Sequence, residues 1–351
     1  MPDDAKTSRI AWRNDTYQRT LENYLQAFCV EQYDERASRL WSRDYTSLEA
    51  YEASVAAMRE RWLGILCPPD LEPSGELAAR PAELLDEPRD AQWLELPLGG
   101  LSAEGILVMP KGASGPVPLI IAQHGLGSSP ERVFGVDDAP DIYHGWGRDL
   151  LDEGYAVLAP LHLSQTDARN RIQHLATLAG TTLAGIELAR LQRLLDVVLA
   201  RPDIDAERVG MWGLSLGGMA TQLFAPVETR IRVSISSAWF NHRPNKLARP
   251  DPRYSCYLES PETHVFMRDW LICFADEDLH SLIIPRAIMY QSGKNDGIAW
   301  WPQLPAVFEK LRYHYERLGI ADRVALDLHD GCHEIRLESG MAWLRKHLGN
   351  S

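Results

Sequence analysis

Two patterns of apolar placement divide the chain. Residues 13–67 contain no proline and no alternation of apolar with polar positions. In "TYQRTLENYLQAFCVEQYDERASRLW", Tyr17, Leu21, Tyr24, Leu25 and Phe28 recur at helical spacing. A second helix is predicted from about Leu48 to Leu66, stopping before Pro68. The apolar and aromatic side chains here, Trp41, Tyr51, Met58 and Trp62 among them, are too many for a solvated arm. Two helices bury no core of their own, so this segment is expected to dock on the rest of the chain or on a second subunit. The expectation is a lid over the substrate entrance, with a stability or homodimer element as the alternative. "PPDLEPSGELAARPAELLDEPRD", rich in proline and acid, is expected to be a linker that closes an N-terminal unit spanning 1–90.

From Ala91 the pattern changes. "AQWLELPL" and "AEGILVMP" predict a hairpin about a Gly-Gly turn, and "VPLIIAQHG" is a continuous apolar run suited to a strand buried on both faces. "GWGRDLLDEGYAVLAP" predicts a helix, a glycine stop and a strand. "TTLAGIELARLQRLLDVVLAR" carries Leu183, Ile186, Leu191, Leu194, Leu195 and Val198 on one stripe, with Pro202 ending it. Strands follow at "VGMW", "RIRVSISSAWF", "IIPRAIMYQSGKND" and "RVALDLHD", and helices at "LPAVFEKLRYHYERLGI" and "EIRLESGMAWLRKHL". Strand and helix alternate with short connections, which predicts an α/β fold with a doubly wound, mainly parallel sheet over 91–351. The stretch at about 241–278 stands between two core strands and is expected to be a cap insertion.

Composition narrows the function classes. With 351 residues, 45% of them apolar, and a net charge of −13, the chain has no basic block that would suit a nucleic-acid partner. "MPDDAKTSRI" has no apolar secretory core and no apolar run approaches a membrane span, so a soluble, cytoplasmic protein is expected. Cys29, Cys67, Cys256, Cys273 and Cys332 are scattered, odd in number and expected to be free thiols, with Cys332 a small buried residue. No metal-ligand spacing or nucleotide-binding glycine pattern is present, so no cofactor and no metal are expected.

Candidate chemistry centres on "VGMWGLSLGG". Gly213-Leu214-Ser215-Leu216-Gly217 fits G-x-S-x-G, a strand-to-helix elbow that lifts a serine hydroxyl out of the sheet. A serine hydroxyl needs a base and a group to orient that base, which in this arrangement follow in the order Ser, acid, His. "YQSGKNDG" puts Asp296 just past a strand, and "LHDGCHEI" puts His333 in the turn after the last one. His329 continues the alternation Val324, Leu326, Leu328 and belongs to that strand, while Asp276 and Asp278 stand before a strand, at its wrong end. Asp330 is too near His333 in the chain to orient it. An oxyanion hole is also required. "AQHGLGSS" after the first buried parallel strand offers the Leu126 N–H, and the elbow offers the Leu216 N–H. His124 is expected to brace that turn.

On these residues the chain from about 91 to 350 resembles an α/β-hydrolase. More narrowly it resembles the branch that holds dienelactone-hydrolase-like proteins and acetyl xylan esterases. The matching stretches are "QHGLGSS", "LAGTTLAGIELARLQRLLDVVLARPDIDAERVGMWGLSLGG", "LIIPRAIMYQSGKNDG" and "DGCHE". The resemblance implies ester hydrolysis through Ser215, Asp296 and His333. Dienelactone hydrolases carry cysteine at the nucleophile position; serine stands here, and that activity is not carried over. Rival functions are a prolyl-oligopeptidase-like peptidase, a C–C hydrolase or lyase using the same triad, and a non-hydrolytic binding protein. Trp239, Phe240, Trp300 and Trp301, just past strands or the acid turn, are candidates either to line an apolar pocket for a small-molecule ester or to pack the cap and core.

Overall fold

The computed structural model describes residues 2–85, 90–112 and 115–349, with side chains from residue 6 onward. Among the described residues nine strands form one sheet: β1 (Ala78–Pro81), β2 (Ala91–Leu98), β3 (Leu101–Val108), β4 (Val117–Gln123), β5 (Ala156–Pro160), β6 (Ile204–Leu214), β7 (Ile231–Ser237), β8 (Ala287–Gly293) and β9 (Val324–His329). Their order is β1-β2-β3-β5-β4-β6-β7-β8-β9, antiparallel from β1 to β5 and parallel from β5 to β9. The stretch expected to be a plain linker thus contributes β1, paired to β2. Proline is tolerated on an edge strand, so its presence did not forbid one.

The helices are α1 (Pro2–Gln26), α2 (Tyr33–Leu40), α3 (Leu48–Leu66), α4 (Trp146–Asp152), α5 (Thr166–Leu178), α6 (Leu183–Val198), α7 (Leu216–Phe224), α8 (Arg243–Ala248), α9 (Asp276–His280), α10 (Leu304–Arg317) and α11 (Leu337–Leu348). Alternation along the strands divides the core in two. Leu119, Ile121 and Met211 join side chains of α3, α6, α7 and α10 on one face. Ile120, Ala122 and Trp212 join those of α4 and α11 on the other. A continuous apolar run such as "LIIA" is what a strand covered on both faces requires.

Register fixes where chemistry can be placed. Gln123 pairs with Gly213, Leu214 with Ser237, Ser237 with Gln291, and Gly293 with His329. The carboxyl ends of β4, β6, β7, β8 and β9 therefore lie along one edge, where open parallel sheets build their sites.

The N-terminal segment behaves in two ways. α2 and α3 dock: Tyr51 and Trp62 are fully buried, Trp41 nearly so. Trp41 Nε1 donates to Cys273 O (2.8 Å), Tyr33 Oη to Asp278 (2.8 Å), and Trp62 Nε1 to Leu223 O (2.9 Å). Arg36 holds Ile272 O and Leu271 O, and Arg59 holds Pro226 O and Leu282 O. These helices brace the insertion and the end of α7 remote from Ser215. None of their bonds among the described residues reaches Ser215, Asp296 or His333. The α1 stripe does not dock within this chain, since Tyr17 and Tyr24 are 67% and 69% exposed. Periodicity reports that a helix is amphipathic and not what covers its apolar face.

Between β7 and β8 the insertion is built of α8, α9 and short 3₁₀ turns. Its two ends are tied by a buried ion pair, Arg243 Nε to Asp276 Oδ1 at 2.7 Å, with the guanidinium stacked on Trp239.

Candidate active site

At the end of β6 the backbone turns through Ser215 with φ 60° and ψ −117°, a conformation that L residues rarely adopt. The turn is pinned on both sides: Ser215 N donates to Ser237 O (2.9 Å) and Ser215 O accepts from Met219 N (2.8 Å). The glycines around it are required by contact. A Cβ on Gly213 would strike the main chain of Gly217, and one on Gly217 the main-chain oxygens of Gln123 and His124. Ser215 is thereby held at the N-terminus of α7, where unpaired N–H groups and the helix dipole favour developing negative charge.

The base and its orienting acid meet across two loops. His333 Nδ1 lies 2.8 Å from Asp296 Oδ2; the Asp296 side chain is 3% exposed and that of His333 32%. Asp296 Oδ1 accepts from Ile298 N (2.9 Å). The loops carrying the pair are laced together by Lys294 N to His329 O (2.8 Å) and Asn295 N to Gly331 O (3.1 Å). Gly293 permits this approach, because a Cβ there would meet the carbonyls of Gly331 and Cys332. Beneath the site a polar ladder spaces the strands: Trp212 Nε1 donates to Ser237 Oγ (3.0 Å), which donates to Gln291 Oε1 (2.6 Å). Gln291 Nε2 in turn holds Arg336 O (2.7 Å) at the head of α11.

The rival residues are engaged elsewhere. Asp276 pairs with Arg243, Asp278 with Arg43, and Asp330 with Lys294. His329 Nδ1 accepts from Gly331 N within the strand end, and burial pushes its pKa down.

Beside the elbow, the turn after β4 passes so close that a Cβ on Gly125 would sit 3.3 Å from Ser215 Cβ. Leu216 follows the serine and Leu126 follows Gly125, and among the described residues neither N–H has an acceptor. Gly125 N donates to Tyr143 Oη (2.8 Å), a brace that the sequence did not reveal, since Tyr143 lies in an irregular stretch. His124 is fully buried, against His162 at 4.2 Å between ring centroids. Burial and then His162 push its pKa well below the histidine range, so it stays neutral and holds the turn.

Trp239 and Phe240 are not an open pocket wall. Trp239 stacks on Trp270 and donates to Tyr257 Oη (3.3 Å), and Phe240 stacks on Tyr290 at 4.1 Å. Residues just past a buried strand were claimed by the interior before any pocket. Trp300 is half-buried against Tyr254 and Arg253, and Trp301 is exposed beside Lys294. A groove of about 740 Å³ lies elsewhere, between the end of α1 and the insertion, lined by Leu25, Phe28, Leu258, Phe266 and Leu271 among others. The insertion does approach the acid loop, where Lys246 Nζ donates to Ile298 O (2.7 Å), and burial holds the Glu262 carboxyl above the usual range. Cys332, expected to be buried, is exposed. Its turn projects from the sheet edge to carry His333, which a position next to a functional residue does not disclose. Among the described residues no group of three or more His, Cys, Asp or Glu could hold a metal ion, and no helix is long and apolar enough to cross a membrane.

No protein-family model matches the chain. It is 26% identical over 236 residues to YtaP of Bacillus subtilis, which is named as a candidate hydrolase; the match covers 64% of this chain and 75% of that one. Among solved structures, it superposes on a candidate acetyl xylan esterase of Bacteroides fragilis with a TM-score of 0.64 at 16% identity, over 83% of this chain and 79% of that one. A glucuronoyl esterase of Solibacter usitatus gives a TM-score of 0.63 at 14% identity, over 84% of this chain and 92% of that one. The sheet order, the helices on both faces and these superpositions show the α/β-hydrolase fold.

Proposed function

We propose that this α/β-hydrolase chain is a serine hydrolase of carboxylic esters that works through an acyl-enzyme. In this scheme Ser215 Oγ attacks the ester carbonyl while His333 Nε2, the ring nitrogen not held by Asp296, takes the hydroxyl proton. Asp296 keeps the proton on Nδ1 and stabilises the imidazolium that forms. The N–H groups of Leu126 and Leu216 receive the negative charge that develops on the carbonyl oxygen. The imidazolium then protonates the leaving alcohol. A water molecule, deprotonated by the same nitrogen, releases the acid and restores Ser215.

The observation that carries this reading is the contact of His333 Nδ1 with Asp296 Oδ2 at 2.8 Å, on the same sheet edge as a serine held at φ 60°. For the acyl and alcohol parts, the named activities of the superposed structures suggest esters on carbohydrates. The proposal is tested with p-nitrophenyl acetate, acetylated xylo-oligosaccharides and a methyl ester of glucuronic acid, with a peptide amide as control. Turnover of at least one ester, lost in Ser215→Ala, supports it; cleavage of the amide alone would replace it with a peptidase.

A further inference from the structure

Three side chains of the insertion converge on one carbonyl of the acid loop. Ile298 O accepts from Lys246 Nζ (2.7 Å), from Ser255 Oγ (3.0 Å) and from Asn241 Nδ2 (3.2 Å). Lys246 Nζ also donates to Ser255 O (2.9 Å) and Ser255 Oγ (2.6 Å). An ammonium has three N–H donors, and here three oxygens take them. The amide of the same residue, Ile298 N, donates to Asp296 Oδ1 (2.9 Å), and Asp296 Oδ2 holds His333 Nδ1 (2.8 Å). Whatever fixes Ile298 therefore fixes the direction in which the imidazole is held.

We propose that Lys246 is a positioning residue: its ammonium, acting through Ile298, sets the orientation of Asp296 and so of His333, and makes the insertion part of the hydrolytic machinery. The proposal rests on the esterase reading of the site. Charge is part of the device, because an ammonium donor binds a carbonyl roughly twice as strongly as a neutral one. The amine stands among Arg243 of its own helix, Cys256 and Glu262 of the insertion, Asp296 of the acid loop, and the Tyr257 ring 4.7 Å away. Burial, and after it Arg243, brings its pKa down to about 8, against the opposing pull of Glu262, Asp296 and Cys256. Below that pH all three oxygens are served. Above it the neutral amine is a weaker donor to Ile298 O, and the grip on the acid loop slackens.

The test follows kcat and KM for p-nitrophenyl acetate, with spontaneous hydrolysis subtracted, and the rate of Ser215 labelling by a fluorophosphonate, from pH 6 to 10. In the wild type both rates should fall as pH rises through about 8. Lys246→Met should lower kcat by roughly 10- to 100-fold at pH 7 with a smaller change in KM, and should lose the alkaline fall. Lys246→Gln, which keeps a neutral donor, should recover part of the rate without regaining the fall. Ser255→Ala keeps the ammonium but removes one acceptor, so the fall should move to lower pH. A wild type without the fall, Lys246 variants that keep it, or a fall unmoved in Ser255→Ala would each overturn the role of Lys246. A wild type that is never labelled at Ser215 would overturn the esterase reading instead.

Discussion

Exchanging Asp296 for asparagine keeps the shape of the side chain and should still stop the reaction. A neutral imidazole carries one N–H. In the wild type Asp296 Oδ2 accepts from His333 Nδ1 at 2.8 Å, so the proton sits on Nδ1 and the Nε2 lone pair is free for the serine proton. The other carboxylate oxygen accepts from Ile298 N at 2.9 Å. In Asp296→Asn the amide oxygen must stay on the Ile298 side, since an NH₂ there would face another donor. The NH₂ is then presented to Nδ1, which must accept, and the proton moves to Nε2. A protonated Nε2 takes nothing from Ser215. The same exchange in serine protease triads lowers kcat by about 10⁴, roughly 5.5 kcal/mol of barrier, and a loss of that order is expected here. Both hydrogen bonds of the buried side chain survive in number, so the folding free energy should change by less than about 1.5 kcal/mol. Ester turnover and urea unfolding of the same preparation decide the matter. A variant within tenfold of wild-type kcat, or one whose loss of rate is matched by unfolding, would refute the tautomer argument.

Other substitutions probe the frame around the site. Arg243→Met strands the buried Asp276 carboxylate and should cost about 3–5 kcal/mol in urea unfolding, part of which Arg243→Met/Asp276→Leu restores. Trp62→Ala removes a buried indole that lies 5.6 Å from Trp270 and 5.2 Å from Phe274, and should cost about 3–5 kcal/mol. The chain without residues 1–20, by contrast, should melt with the full-length protein and keep its ester preference, because that part of α1 leaves Tyr17 and Ile10 in solvent. Gly217→Ala drives a Cβ into the main-chain oxygens of Gln123 and His124 and should destabilise by roughly 2 kcal/mol or more while abolishing Ser215 labelling.

What the sequence disclosed follows the strength of local rules. The helix ending at Leu66, the strands from Ala91 and Val117, and the elbow at Ser215 are written in patterns that one element suffices to read. The pairing of His333 with Asp296 was legible because fold topology brings the ends of β8 and β9 together whatever their side chains. Contacts made across long sequence distances were not legible. Nothing in "HRPNKLARP" marks Lys246 as the partner of a carbonyl some fifty residues on, and nothing marks Tyr143 as the brace of Gly125. Burial was left open or misjudged where neighbourhood stood in for topology. Trp239 and Phe240 follow a central strand and were taken into the interior, while Cys332 rides a projecting turn. β1 was hidden because an edge strand of four residues needs no apolar alternation.

The claim that Ser215 is an activated nucleophile is tested most directly by a fluorophosphonate probe followed by peptide mass spectrometry. One labelled peptide, modified at Ser215, is expected, with labelling abolished in Ser215→Ala and slowed at least a hundredfold in a folded His333→Ala. Labelling at another residue, or none on folded wild-type protein, would contradict it.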